Sequence, residues 1–157
     1  GDWQQLGQDI DLDDVTYYGN IHLSEDGLTF FASTKKDLNG NGNTNEDGES
    51  FGKVFTYENG NWVQIGPDIQ FDEYDGGWLS DMDSSGQMFV INAGYGKYVK
   101  VFKFVNNNWT NTLAFYNEDL ILDGTWKRIH FESGILHFMY KIGSGGNILT
   151  FFEEISL

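Results

Sequence analysis

The sequence predicts an all-β domain of three repeats, each of four short strands, and three observations carry that prediction. The stretch 51–66, Phe-Gly-Lys-Val-Phe-Thr-Tyr-Glu-Asn-Gly-Asn-Trp-Val-Gln-Ile-Gly, has two aromatic and β-branched runs around Asn59-Gly60. Asn-Gly supplies the positive φ angles that a tight hairpin turn needs. The unit recurs: Trp3-Gln-Gln-Leu-Gly-Gln-Asp-Ile matches Trp62-Val-Gln-Ile-Gly-Pro-Asp-Ile, and Val99-Lys-Val-Phe-Lys-Phe-Val-Asn-Asn-Asn-Trp109 repeats the strand, turn and Trp. Finally, no stretch shows a sustained helical period with caps, so helix is expected to be near absent.

Two independent landmarks set the period. Trp3, Trp62 and Trp109 lie 59 and 47 residues apart, and the turn glycines Gly27, Gly86 and Gly134 lie 59 and 48 apart. That agreement makes the repeat real, with units near 1–61, 62–108 and 109–157 inside a single domain spanning 1–157. The extra length of the first unit sits in the polar run 37–49. In the second unit, strands are expected at 62–69, 78–82, 87–92 and 98–105. The first carries the Trp motif, the second ends in the Asp/Ser/Gly turn, the third is the apolar one, and the fourth leads through an Asn-rich turn into the next Trp. The third unit is degraded: Trp109-Thr-Asn-Thr-Leu lacks the motif glycine, and no Trp follows 147–155. If each sheet is completed by the Trp strand that follows it, the last sheet lacks one while 3–10 stands unpaired. Open edges and unpaired strands attract each other. They could meet within one chain or, head to tail, in a homo-oligomer joined through its terminal strands.

Composition narrows the function. The chain has 157 residues, 17% aromatics, 20 Gly, a single Pro and no Cys, which suits one β-rich domain with a core and excludes disulfide or thiolate chemistry. Its net charge of −15 repels phosphate backbones and anionic membranes, so nucleic-acid binding and membrane insertion are not expected. The same acidity suits Ca²⁺ or plain solubility.

The pattern Trp-x-Gln-Leu/Ile-Gly-x-Asp-Ile, then Leu-Ser-x-Asp-Gly, then a Val-Phe-x-Tyr-x-x-Gly-x-Trp hairpin resembles the blade repeats, about fifty residues long, of β-propeller regions in bacterial secreted and surface proteins, especially of Bacteroidetes. The likeness is good over 3–33 and 51–92 and weak after Trp109. It implies four-stranded, propeller-like blades around an axis, an extracellular or cell-surface location, and binding or adhesion more often than catalysis. Closed propellers take four to eight blades, so three imply an oligomer that completes a ring, or a piece of a longer array. Three repeats of four strands also describe a β-trefoil, which is the alternative fold.

The sharpest site candidate is Asp37-Leu-Asn-Gly-Asn-Gly-Asn-Thr-Asn. Asp37, Asn39, Asn41 and Asn45 place side-chain oxygens at loop positions 1, 3, 5 and 9, Gly42 stands at position 6, and Asn43 offers a backbone carbonyl at position 7. This is the spacing with which loops wrap Ca²⁺. Position 12 is Gly48 and no helix flanks the loop, so it is not an EF-hand; the opposing reading is an Asn/Gly turn chosen for backbone reasons. The second candidate is aromatic. Trp78 and Trp126 each stand eight residues before a turn glycine, Tyr95 lies near Trp78, and flat aromatic faces beside amides and carboxylates hold sugars. Core packing is the competing role for the two tryptophans, and the repeat tryptophans Trp3, Trp62 and Trp109 read as structural. His22, His130 and His137 show no metal-ligand spacing and no neighbouring nucleophile motif; His130 and His137 are placed to face each other across the Gly134 turn. The sequence alone therefore points to a non-catalytic binding, adhesion or scaffold module with a Ca²⁺ loop and a protein or glycan ligand. A lectin-like carbohydrate-binding module is the alternative, and a glycan-processing hydrolase a further one.

Overall fold

A computed structural model describes residues 2–12, 17–43, 50–71, 80–93, 98–116, 126–132, 135–142 and 147–154, with side chains at 2–12, 20–43, 50–71, 81–91, 99–112, 135 and 137. These residues form twelve strands and no helix. The strands are β1 (Tyr17–Leu23), β2 (Thr29–Lys35), β3 (Ser50–Glu58), β4 (Asn61–Gln64), β5 (Ile69–Phe71), β6 (Ser80–Met82), β7 (Met88–Ala93), β8 (Tyr98–Val105), β9 (Asn108–Tyr116), β10 (Trp126–Glu132), β11 (Ile135–Ile142) and β12 (Asn147–Glu154). All strand pairs are antiparallel, in three sheets that follow chain order. The first sheet runs β1-β2-β3-β4 with β5 also on β3, the second β6-β7-β8-β9, and the third β10-β11-β12.

Turn chemistry fixes these hairpins. Asn59 and Gly60 take φ of 51° and 89° between β3 and β4, and Asn106 and Asn107 take 51° and 61° between β8 and β9. The left-handed region they occupy is open to Gly and tolerated by Asn. Before β2 and β7 the same turn is built twice from different residues. Gly27 N–H donates to the Ser24 carbonyl and Gly86 N–H to that of Asp83. Ser24 Oγ then accepts from Thr29 N–H, and Asp83 Oδ1 from Met88 N–H.

The expected strand 62–69 is broken. Gln64 ends β4, Gly66 turns to φ 73°, and Pro67 offers no N–H, before β5 returns to β3. A proline on an outer edge costs no ladder bond. Each Trp strand thus forms the outer edge of the preceding unit's sheet: Trp62 pairs with Tyr57 on β3, and Trp109 with Phe104 on β8. Residues 3–10, expected to be a strand, are irregular.

The core lies between the first two sheets. Phe31, Val54, Ile69 and Phe71 of the first meet Met82, Phe89, Ile91, Phe102 and Trp109 of the second. Phe89 stacks on Phe31 at 4.5 Å and on Phe102 at 4.9 Å, offset contacts that add to plain burial. The opposite face of the first sheet, at Phe30, Ala32 and Phe55, is covered by Ile10, Leu12 and Trp62. The first strands of the sheets are neighbours: β1 lies beside β6, and β6 beside β10.

Candidate functional site

The repeat motif resolves into a cradle for the next unit's indole. Trp62 Nε1 donates to the Leu6 carbonyl at 2.8 Å, and Trp109 Nε1 to the Ile65 carbonyl at 2.9 Å. Leu6 and Ile65 are the equivalent motif positions. The following glycines, Gly7 and Gly66, lie under those rings: a Cβ on Gly7 would stand 2.8 Å from Trp62 Cδ1, and one on Gly66 2.9 Å from Trp109 Cδ1. The motif's Gln and Asp brace the bend. Gln5 Nε2 reaches Asp9 Oδ1, and Gln64 Nε2 reaches Asp68 Oδ1, both at 2.8 Å. Trp62 and Trp109 are structural, as expected from their place in the repeat. Trp3 has no such cradle and is fully exposed.

The loop at 37–43 is held by its own side-chain oxygens. Asp37 Oδ1 accepts from Gly40 N–H at 2.7 Å and Asn41 N–H at 3.2 Å, while Oδ2 accepts from Gly42 N–H at 2.7 Å. Asn39 Oδ1 accepts from Asn41 N–H, and Asn41 Oδ1 from Asn43 N–H. These N–H donors, Gly42 first, hold the Asp37 carboxyl below its ordinary pKa of 3.8 because they stabilise the ionised form. Among the described residues there is no group of three His, Asp or Glu placed to share a metal. Asn45, Trp78, Tyr95 and the Trp126 side chain lie outside the described residues.

One titratable pair was missed by the sequence reading. His22 stands on β1 opposite Phe31, so it faces the second sheet as Phe31 does. Asp81 stands on β6, the strand beside β1. Burial of the imidazole pushes its pKa below the ordinary 6.5, against an opposing pull from the Asp81 carboxylate; desolvation disfavours the cation and wins. His22 is therefore a half-buried neutral base within electrostatic reach of a carboxylate, on the adjoining first strands of two sheets. No spacing rule exposes this pair, because 59 residues separate its members. Ser24, two residues on, is no nucleophile. Its hydroxyl donates to Asp26 Oδ1 or the Thr29 carbonyl and accepts from Thr29 N–H, a turn staple buried from water. His130 and His137 do pair across β10 and β11, as the turn predicted.

These sheets define an all-β protein of serial antiparallel sheets. No protein-family model and no curated protein matches the chain. The solved structures it is similar to include two that are each described as a putative 6-phosphogluconolactonase. The one from Bacteroides uniformis matches at a TM-score of 0.51 and 11% identity, over 96% of this chain and 46% of the other. The one from Bacteroides fragilis matches at 0.46 and 15% identity, over 68% and 27%. The chain thus spans less than half the length of either. This corrects the expectation of a non-catalytic binding, adhesion or scaffold module. The solved fold that the chain resembles is described as that of an enzyme, so a fold of this kind gives no ground for excluding catalysis.

Proposed function

We propose that the three sheets are blades of a propeller-type body, and that this body hydrolyses an uncharged sugar lactone. The blade reading is supported by the serial sheets, by the edge position of each Trp strand, and by the indole nested in the preceding motif. The observation that carries the catalytic reading is the placement of His22, neutral and half-buried where the first strands of two sheets adjoin. Likeness to the Bacteroides uniformis structure supports the choice of reaction.

The chemistry is general-base hydrolysis. His22 takes a proton from water as its oxygen bonds to the lactone carbonyl carbon, and Asp81 stabilises the imidazolium that forms. The ring C–O bond then breaks, and the imidazolium returns the proton to the leaving alkoxide. A net charge of −15 repels a phosphorylated substrate, which is why an uncharged lactone is preferred here. We also propose that the loop at Asp37 takes Ca²⁺, weakly, since Asp37 is its only carboxylate among the described residues.

Base-consumption titration of glucono-δ-lactone near neutral pH tests the reaction. Turnover above the buffer rate is expected, with kcat/KM falling about 10²–10⁴-fold in His22→Gln. No turnover by the unaltered protein, or full turnover by His22→Gln, refutes the catalytic reading.

A further inference from the structure

A cavity of about 230 Å³ lies on the face of the first sheet that is turned away from the second. Strand register explains its place. Phe30 stands opposite Phe55, Ala32 opposite Lys53 and Thr34 opposite Phe51, so all six side chains share this face. Ile10, Leu12 and Trp62 close over the Phe30, Ala32 and Phe55 end. Towards the Asp37 loop the sheet instead lends Thr34, Phe51 and Lys53 to the cavity wall, with Leu12 beside them. The second sheet has Ile91 opposite Lys100 where the first has Ala32 opposite Lys53, and Ile91 is part of the core. Alanine at 32 leaves room for the lysine chain to lie along the sheet.

The walls are of two kinds. Leu12, Leu38 and Phe51 are apolar, while Thr34, Lys36, Lys53 and Asp68 bring a hydroxyl, two cations and one carboxylate. In a chain with 9 Lys and Arg residues and a net charge of −15, two cations on one small cavity stand out against the field around them. Lys53 is the unusual one. Its side chain is 10% exposed, and its Nζ stands 3.6 Å from Asp68 Oδ2, whose side chain is 45% exposed. That contact is ionic and longer than a hydrogen bond. Asp68 is also held by Gln64 Nε2 at 2.8 Å. Half-buried Lys36 brings the second cation from the start of the Asp37 loop. A cation set in a wall poor in water attracts an anion more strongly than the same cation in solvent.

We infer that this cavity binds a small organic monoanion, a carboxylate carried on a short apolar body. Lys53 and Lys36 attract the carboxylate, and the Thr34 hydroxyl can donate to one of its oxygens. Leu12, Leu38 and Phe51 take the apolar body out of water. Two cations against one acid match a single negative charge, and an inorganic anion would leave the apolar walls uncovered. The volume falls below the about 300 Å³ at which pockets for drug-sized molecules begin, so the ligand is small. His22 faces the second sheet, on the other side of the first. The cavity is thus a separate site, and the inference rests on neither the blade reading nor the hydrolase reading.

Calorimetry with benzoate and hexanoate tests it, with benzamide as the uncharged match for benzoate. At least one carboxylate is expected to bind at millimolar concentration or below, and benzamide about 10-fold more weakly or not at all. Lys53→Met keeps the length of the buried chain and leaves Asp68 its bond to Gln64. It is expected to weaken carboxylate binding about 10-fold or more, with a far-UV spectrum matching the unaltered protein; Lys36→Gln should weaken binding less. No heat from either carboxylate, benzamide bound as tightly as benzoate, or full affinity in folded Lys53→Met overturns the inference. If Lys53→Met does not fold, Lys36→Gln decides, and unchanged affinity there overturns it. Carboxylate binding without lactone turnover keeps this site and ends the hydrolase reading; turnover without carboxylate binding does the reverse.

Discussion

Replacing Gly66 by alanine isolates the contact that joins one repeat to the next. Two costs add at this position. The backbone sits at φ 73°, where a Cβ costs roughly 1 kcal/mol. The new methyl would also stand 2.9 Å from Trp109 Cδ1 and 3.0 Å from Phe104 Cε2, so the indole must move. Trp109 is 8% exposed, and its N–H bond to Ile65 spans 2.9 Å. Displacing it forfeits about 1 kcal/mol for that hydrogen bond and about 1 kcal/mol or more of packing. A total near 3 kcal/mol corresponds to a melting point lower by about 6–12 °C for a chain of this size. Gly60→Ala is the control: its φ is 89° and nothing lies within 4 Å of the added Cβ, leaving only the roughly 1 kcal/mol backbone cost. Thermal and urea unfolding followed by tryptophan fluorescence reads both. If Gly66→Ala costs no more than Gly60→Ala, the motif glycine does not serve the indole, and the cradle argument fails.

Other outcomes follow from the same geometry. Phe89→Ala removes the ring stacked on both Phe31 and Phe102 and should cost about 3–5 kcal/mol in urea unfolding; a loss below about 1.5 kcal/mol would mean that the sheets close over the gap. His22 binds protons less readily folded than unfolded, because burial lowers its pKa from 6.5. Its contribution to stability is therefore present above pH 6.5 and is lost as pH falls through the lowered folded value. His22→Gln should flatten that part of the stability curve, and an unchanged slope contradicts the assignment. The acid limb of any lactone hydrolysis should fall below pH 6.5 for the same reason. For the loop at Asp37, calorimetry should show weak Ca²⁺ binding that Asp37→Ala abolishes; absence of heat at millimolar Ca²⁺ ends that proposal.

Much of the architecture is legible in the sequence because local rules set it. The Asn59-Gly60 turn and the apolar third strand each follow from local chemistry, and both hold in the first two sheets. The sheet assignment of the Trp strand follows from the hairpin before it, since Asn59-Gly60 can only fold 61–64 back onto β3. The break between β4 and β5 was harder to see. Gly66-Pro67 ends the ladder there, but only contact with Trp109 explains why a bend is needed. The site was least legible. His22 and Asp81 meet through the stacking of two sheets, which no pattern along one strand reveals. The Asp37 loop shows the opposite difficulty: its oxygens are spaced as for a cation, yet the same spacing lets them hold the loop's own N–H groups.

Proton exchange at the indole nitrogens tests the central claim, that each repeat is held by a tryptophan seated in the motif before it. Heteronuclear spectra of the unaltered protein should show slow exchange for Trp62 and Trp109, whose N–H groups are bonded to Leu6 and Ile65. Gly66→Ala should accelerate Trp109 and leave Trp62 slow. If both indoles exchange at the rate of free tryptophan in the unaltered protein, the seats are empty in solution and the account is wrong.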